Sequence, residues 1–190
     1  DVVNQAVSEG CRIISYTYTE PTIFFEFAYD TAKLAHEKGI KNTFVTNGYM
    51  TPEAVKMIAP YLDAATVDFK CSGDPECYRK IMSVPDVKPI YDCLMEMKKQ
   101  GVFIEITNLV IPGFDDDSSG FRSLVRWIRD NLGGETPLHI LRFFPTYRFS
   151  DIPDTPLESL RKAYEIAKRE GMKFVYLGNV PGQGENLSLI

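Results

Sequence analysis

The feature that most restricts this chain is its repeated alternation of helix-like and strand-like segments from end to end. Residues 2–9 place Val2, Val3, Ala6 and Val7 at helical spacing and stop at Gly10, and residues 13–19 follow as a strand. Residues 22–38 carry Ile23, Phe27, Leu34 and Ala35 at helical spacing up to Gly39. Residues 43–46 read as a strand ending at Asn47-Gly48, and Thr51-Pro52 supplies an N-cap and an N1 proline for a helix to about Tyr61. Residues 65–70 are the third strand. A short helical stretch at 75–82 and a longer one at 88–100 precede a strand at 103–111. A helix over 118–132 turns Phe121, Leu124, Val125 and Ile128 inward, and residues 138–144 are the next strand. Thr155-Pro156-Leu157-Glu158 has the form of a capping box for a helix over 156–170, and residues 173–177 are the last strand.

Alternation of this kind predicts an α/β fold with a parallel sheet and helical crossovers. No segment reads as a linker, so residues 1–190 are expected to form a single domain. An open doubly wound sheet and a partial (β/α) TIM-like barrel both fit the count of elements. The polar residues discriminate between them. Strands of a parallel sheet are covered on both faces and run apolar, yet here strand after strand turns polar towards its end. The ends carry Thr17, Thr19 and Glu20; Thr46 and Asn47; Asp68 and Lys70; Glu105, Thr107 and Asn108; and Arg142. Asp68 and Lys70, two apart, share one strand face. So many polar ends suit a barrel, whose strand ends converge on one mouth, better than the single crevice of an open sheet. Charges inside it need partners, and Glu105 is expected to pair with Arg142 or Lys70.

The formal net charge of −5 and the absence of a basic block argue against nucleic acid as a partner. No apolar run is long enough to span a bilayer and no leader opens the sequence, which leads to an expectation of a cytoplasmic protein without a membrane partner. Cys11, Cys71, Cys77 and Cys93 form no C-x2-C pair, and only two histidines are present. Neither a zinc site nor a disulfide framework is expected; the thiols read as reduced and mostly packed.

Neither G-x-G-x-x-G nor a P-loop follows any strand, so a phosphate cradle is not indicated. The mixture of carboxylates, hydroxyls, an amide and a lysine suits a zwitterion that also carries a ribose. A carboxylate accepts from the ammonium, a lysine pairs with the carboxylate, and Asn or Thr reaches the sugar hydroxyls.

Six stretches in order, Y-T-Y-T-E-P-T, T-N-G, V-D-F-K, V-I-P-G-F-D-D-D, R-F-F-P-T-Y and Y-L-G-N-V-P-G-Q-G-E-N, cover nearly the whole chain. Together they resemble radical SAM enzymes of the AmmeMemoRadiSam-system type, relatives of the pyruvate formate-lyase-activating enzyme. The resemblance implies a partial (β/α)6 barrel that cleaves S-adenosylmethionine with a [4Fe–4S] cluster to give a 5′-deoxyadenosyl radical, which abstracts a hydrogen atom. It places Thr19, Glu20 and Pro21 at the methionine amino group, with Glu20 accepting from the ammonium. It puts Asp68 and Lys70 near the methionine moiety, Lys70 towards its carboxylate, and Thr46 and Asn47 facing the ribose. Asp68 also matches a monovalent-cation position of some activating enzymes. It implies an electron donor and a protein or small-molecule substrate as partners.

Three departures accompany the resemblance. The family's C-x3-C-x2-C loop is absent, and Cys71 and Cys77 form a C-x5-C after the third strand instead. The expectation is therefore a fragment lacking the first barrel strand and its cluster loop, inactive alone, with 186–190 cut or altered. Val45 stands where activating enzymes carry an acid, and Phe144 where relatives place His. The alternatives are a cluster-free barrel that binds a small molecule or a partner, and an aldolase-like barrel with Lys70 as a Schiff-base lysine.

Other polar and aromatic residues have plainer readings. Met95 and Met97 read as boundary and core, and His36 and His139 as structural. Asp115, Asp116 and Asp117 suit the start of the next helix. Phe143, Phe144 and Tyr147 are candidates for lining an adenine or substrate cavity.

Overall fold

In the computed structural model, residues 1–114 and 118–180 are described. The helices are α1 (Val2–Ser8), α2 (Phe25–Glu37), α3 (Pro52–Ile58), α4 (Pro75–Cys77), α5 (Lys88–Lys99), α6 (Ser118–Asn131) and α7 (Leu157–Arg169). The strands are β1 (Ile13–Tyr16), β2 (Lys41–Thr46), β3 (Ala64–Lys70), β4 (Phe103–Val110), β5 (Leu138–Arg142) and β6 (Val175–Gly178). They form one six-stranded sheet in strictly sequential order, β1 to β6. Parallel pairing in chain order with helices between the strands is the repeat of a partial (β/α) barrel core, as the alternation predicts.

The chain divides into two compact units, one of Asp1–Val67 with Lys88–Glu105, the other of Asp68–Val87 with the chain from Ile106 onward. In the first, β1 pairs with β2 from Ile13↔Lys41 to Tyr16↔Phe44, and β2 with β3 from Thr43↔Ala64 to Thr46↔Val67. The helix expected over 22–38 is α2, but of the four apolar positions expected to mark its inner face only Ala35 is buried. Ala28, Thr31, Ala32 and Ala35 are buried, whereas Phe27 and Leu34 are 58% and 54% exposed and Ile23 lies outside the helix, also exposed. Small residues let α2 approach β2 closely enough for the Asn42 amide to donate to the Ala32 carbonyl at 3.0 Å. Asn42 donates also to Tyr61 O at 2.9 Å and accepts from the Tyr16 hydroxyl at 3.0 Å, so a fully buried amide has its partners.

In the second unit, β4 and β5 pair from Ile106↔Leu138 to Val110↔Arg142, and β5 and β6 from Leu138↔Val175 to Leu141↔Gly178. Helix α7 packs on β5 and β6, against the buried Leu138 and Ile140. The capping box expected at Thr155 does not form. Pro156 is the N-cap of α7, without a side-chain bond, and Thr155 is spent elsewhere. Its hydroxyl donates to Val110 O at 2.6 Å and accepts from Phe143 N at 2.9 Å, tying the loop to the ends of β4 and β5. A buried hydroxyl with two backbone partners outweighs a cap that solvent can replace.

Helices α6 and α7 are clasped by Glu170, which accepts from Arg122 and from Arg126 Nε at 2.8 Å, while Arg129 donates to the Glu170 carbonyl at 2.9 Å. Hydrogen bonds from Arg126 and then Arg122 hold the Glu170 carboxyl down at about 2, from an ordinary 4.5. A carboxyl depressed on folding stabilises the fold above its unfolded value and stops doing so as it protonates. Acid should therefore lower the melting temperature between pH 4.5 and 2, and Glu170→Gln should remove that part of the slope. A melting series across this window, wild type against variant, checks it; parallel curves would remove Glu170 from the acid response.

Candidate functional site

In the first unit the turn after β1 brings Glu20 to the end of β2. Its Oε1 accepts from Thr22 N at 3.3 Å, Thr22 Oγ1 at 2.9 Å and Thr46 Oγ1 at 2.5 Å. Among the described residues its Oε2 accepts only from Asn47 N, at 2.8 Å. Three donors on one oxygen and one on the other fix the carboxylate plane and leave Oε2 with acceptor capacity. Glu20 is half-buried, so its carboxylate keeps access to a ligand. Thr19 is exposed and Pro21 buried. Proline after Glu20 fixes the backbone where strand gives way to helix.

The T-N-G turn completes this corner. Thr46 also accepts from Gly48 N at 3.1 Å, and the Asn47 side-chain oxygen accepts from Tyr49 N at 2.8 Å. The Thr46 hydroxyl, expected to face a ribose, is thus engaged in positioning Glu20. Among the described residues the Asn47 side-chain NH2 makes no hydrogen bond, which leaves it two donors to offer. Gly48 has φ +74°, and a Cβ there would stand 2.7 Å from Val67 Cγ1 and 3.0 Å from Ile90 Cγ2. Thr22 was missed in the sequence. Its place two residues after a carboxylate is the usual reach of a local hydroxyl bond, and that was the available signal.

In the second unit Asp68 and Lys70 pair on the one face expected, Lys70 Nζ to Asp68 Oδ2 at 2.9 Å. Lys70 is therefore neutralised by Asp68 rather than by Glu105, and its backbone N donates to the buried Tyr78 hydroxyl at 3.0 Å. Arg142, the other expected partner of Glu105, bonds Asp154 and donates to the Thr155 carbonyl at 2.8 Å. Its guanidinium also lies 5.0 Å from the Phe144 ring, which is half exposed. Tyr147 is exposed, and Phe143 is buried core beside Cys71, Cys77 and Ile111. Met97 is buried and Met95 exposed, as read. His36 packs edge-on against Tyr61, and His139 stacks on Tyr176 at 5.0 Å. Asp115–Asp117 and residues 181–190, including 186–190, lie outside the described residues.

The cysteines depart from the expectation of reduced, packed thiols. Cys71 and Cys77 form a disulfide, Cys11 is exposed, and Cys93 alone is a buried free thiol. Burial pushes Cys93 up to about 12, which keeps it a neutral thiol at neutral pH. Iron–sulfur ligation needs several thiolates together. Among the described residues no group of three Cys, His, Asp or Glu stands ready to hold a metal, so these residues do not fit a [4Fe–4S] cluster.

A family model described as the Radical SAM superfamily matches residues 1–124. The chain belongs to the radical SAM superfamily. An uncharacterized protein of Methanocaldococcus jannaschii is 42% identical over 187 residues, 98% of this chain and 55% of that protein. The chain thus spans about half the length of the curated relative it matches. Among solved structures, a domain of pyruvate-formate lyase-activating enzyme from Bacteroides vulgatus superposes with TM-score 0.73 at 17% identity, covering 87% of this chain and 98% of that one. SuiB of Streptococcus suis, in a crystal structure bound to S-adenosylmethionine, superposes with TM-score 0.70 at 18% identity, covering 93% of this chain and 41% of that one. A radical SAM methyltransferase from Sphaerobacter thermophilus gives 0.68 at 16%, covering 93% and 54%. At these identities the likeness is one of fold: this radical SAM chain shares its sheet and helices with an activating enzyme, a methyltransferase and SuiB. No helix among the described residues is long and apolar enough to cross a membrane.

Proposed function

We propose that this chain is the small-molecule-binding part of a radical SAM domain, and that the ligand at Glu20 is S-adenosylmethionine. The observation that carries the reading is the uneven bonding of Glu20, with Oε1 saturated and Oε2 open to the ammonium of the methionine moiety. Thr19 and Pro21 hold the backbone on either side of it. Asn47 offers its side-chain NH2 to the ribose hydroxyls, with Thr46 behind it. In the second unit, taken by itself, Lys70 with Asp68 as its resident counter-ion is a group able to pair with a carboxylate.

Calorimetric titration of S-adenosylmethionine against the chain and against Glu20→Ala tests this. Loss of one charge-assisted bond should weaken binding by about 10- to 150-fold. Equal heats for the two proteins would take Glu20 out of the site.

In this reading the thiolates of a [4Fe–4S] cluster belong to residues other than those described. The reductive cleavage of the cofactor is then a property of a longer protein, of the AmmeMemoRadiSam-system and activating-enzyme type, with its own electron donor and substrate. A second reading keeps the binding and drops the redox chemistry: a cluster-free barrel serving as a binding module. The missing three-thiolate group among the described residues favours it for this chain taken alone. Anaerobic reconstitution of the full-length protein with iron and sulfide, read by absorbance and iron content, separates the two. A bound cluster would defeat the module reading.

A further inference from the structure

The side chain that the fold leaves least satisfied is in the second unit. Among the described residues, Thr107 Oγ1 is the buried side-chain polar atom without a hydrogen-bond partner, and the residue is 8% exposed. Its place in the sheet gives this meaning. Ile106 and Asn108 pair with Leu138 and Ile140, whose side chains are buried on the side where α7 packs. Alternation then puts Thr107, His139 and Tyr176 on the opposite face of the sheet. These three stand in register, Thr107↔His139 and His139↔Tyr176, a single row across β4, β5 and β6. The rings of His139 and Tyr176 stack at 5.0 Å with an angle of 23° between them.

One pleat further along the same face runs a second row, Leu109↔Leu141↔Gly178. A Cβ at Gly178 would come within 2.5 Å of Leu141 Cδ2, so Leu141 lies down over the glycine. The inward layers of a (β/α) barrel are ordinarily bulky aliphatic residues. Here one layer is polar and contains an orphan hydroxyl, while the next is apolar. Valine has the shape of threonine and the better strand propensity, so the hydroxyl is a cost the fold alone does not require.

We propose that the Thr107–His139–Tyr176 row is a second binding subsite, which takes the carbonyl oxygen of a neutral amide- or ketone-bearing substrate. Thr107 and Tyr176 each bring an O–H to the row, and none of its three side chains carries a permanent charge. A neutral carbonyl supplies the acceptor that Thr107 lacks. The apolar part of the ligand lies on Leu141 and Leu109. This subsite is independent of the reading of Glu20 and is tested without S-adenosylmethionine.

With two histidines in the chain, proton NMR gives two imidazole C2–H signals, and His36 on α2 is an internal control. Benzamide is the probe, with benzoate and benzylamine as its charged counterparts. Benzamide should move the His139 signal along a saturating curve and leave His36 in place. Thr107→Val should weaken that binding by about tenfold. The same variant should raise the melting temperature by about 2–6 °C, since it removes an unpaired buried hydroxyl. A lower melting temperature would show that the hydroxyl has a structural partner and would overturn the proposal. So would unchanged benzamide affinity in Thr107→Val, equal drift of both histidine signals, or tighter binding of either charged counterpart.

Discussion

Replacing Asn42 with alanine should lower the unfolding free energy by about 3–5 kcal/mol, one of the two largest single-residue losses expected in this chain. Asn42 is fully buried on β2, and its side chain spends three bonds on three different parts of the first unit: Tyr16 on β1, Ala32 on α2 and the Tyr61 carbonyl after α3. Alanine removes them together and leaves the Tyr61 carbonyl and the Tyr16 phenol without these partners, while the Ala32 carbonyl keeps only its helical bond. Each such orphan forfeits its hydration at a cost of about 1–3 kcal/mol, partly recovered where the structure relaxes. Burial also raises the Tyr16 phenol above its usual range, so Tyr16 remains the donor at any ordinary pH. Tyr16→Phe, which leaves only the Asn42 oxygen unpaired, should cost less, about 1–2 kcal/mol. Urea unfolding with an unchanged slope gives both numbers. A loss below about 1 kcal/mol for Asn42→Ala would mean that water takes over its bonds.

The same network explains what the sequence showed and what it concealed. The order of strands and helices was legible because periodicity is local: Leu138, Ile140 and the apolar side of α6 announce themselves within a few residues. The face of α2 was not. Hydrophobicity pointed to Phe27 and Leu34, but the helix docks through Ala28, Ala32 and Ala35, because only small side chains let its backbone carbonyl reach Asn42. That requirement comes from a residue on the next strand, outside any helical window. Thr155 misled in the same way. Its local pattern is a capping box, but a carbonyl on β4 and an amide at Phe143 claim its hydroxyl. Local propensity loses where a buried backbone group needs a partner.

The candidate site was legible as residue types at strand ends, not as bonds. Glu20 stood out because a carboxylate at a strand-to-helix turn needs a reason. That Thr22 and Thr46 saturate one of its oxygens, leaving the other open, depends on the fold of the turn. The expected partners of the interior charges were also wrong in detail: each found a counter-ion near in sequence, Asp68 for Lys70 and Asp154 for Arg142. Short connections hold such neighbours close at little entropic cost, which a search for distant partners overlooks. The Cys71–Cys77 bond escaped for a related reason. Base rates for cysteine say nothing about a tight turn after β3 that brings two sulfurs together.

Gly48→Ala should be the most damaging substitution at the site, at about 2–5 kcal/mol, although it adds only one methyl group. Two independent costs meet there. The backbone is left-handed, at φ +74°, where an L-residue other than glycine loses about 1–2 kcal/mol. The new Cβ would also press on Val67 Cγ1 at 2.7 Å and Ile90 Cγ2 at 3.0 Å, both on fully or nearly fully buried residues that have little room to retreat. Any backbone shift that relieves the pressure pulls Gly48 N from Thr46 Oγ1, and Thr46 is the hydroxyl that holds Glu20. Stability and ligand affinity should therefore fall together. Combining Gly48→Ala with Val67→Ala separates the two costs. The double variant should be less damaged than the sum of the single ones, by about 1–2 kcal/mol, because the shortened side chain gives the methyl its space while the backbone cost persists. Strict additivity of the two losses would place the whole effect in the left-handed backbone and leave the contact with Val67 without energetic weight.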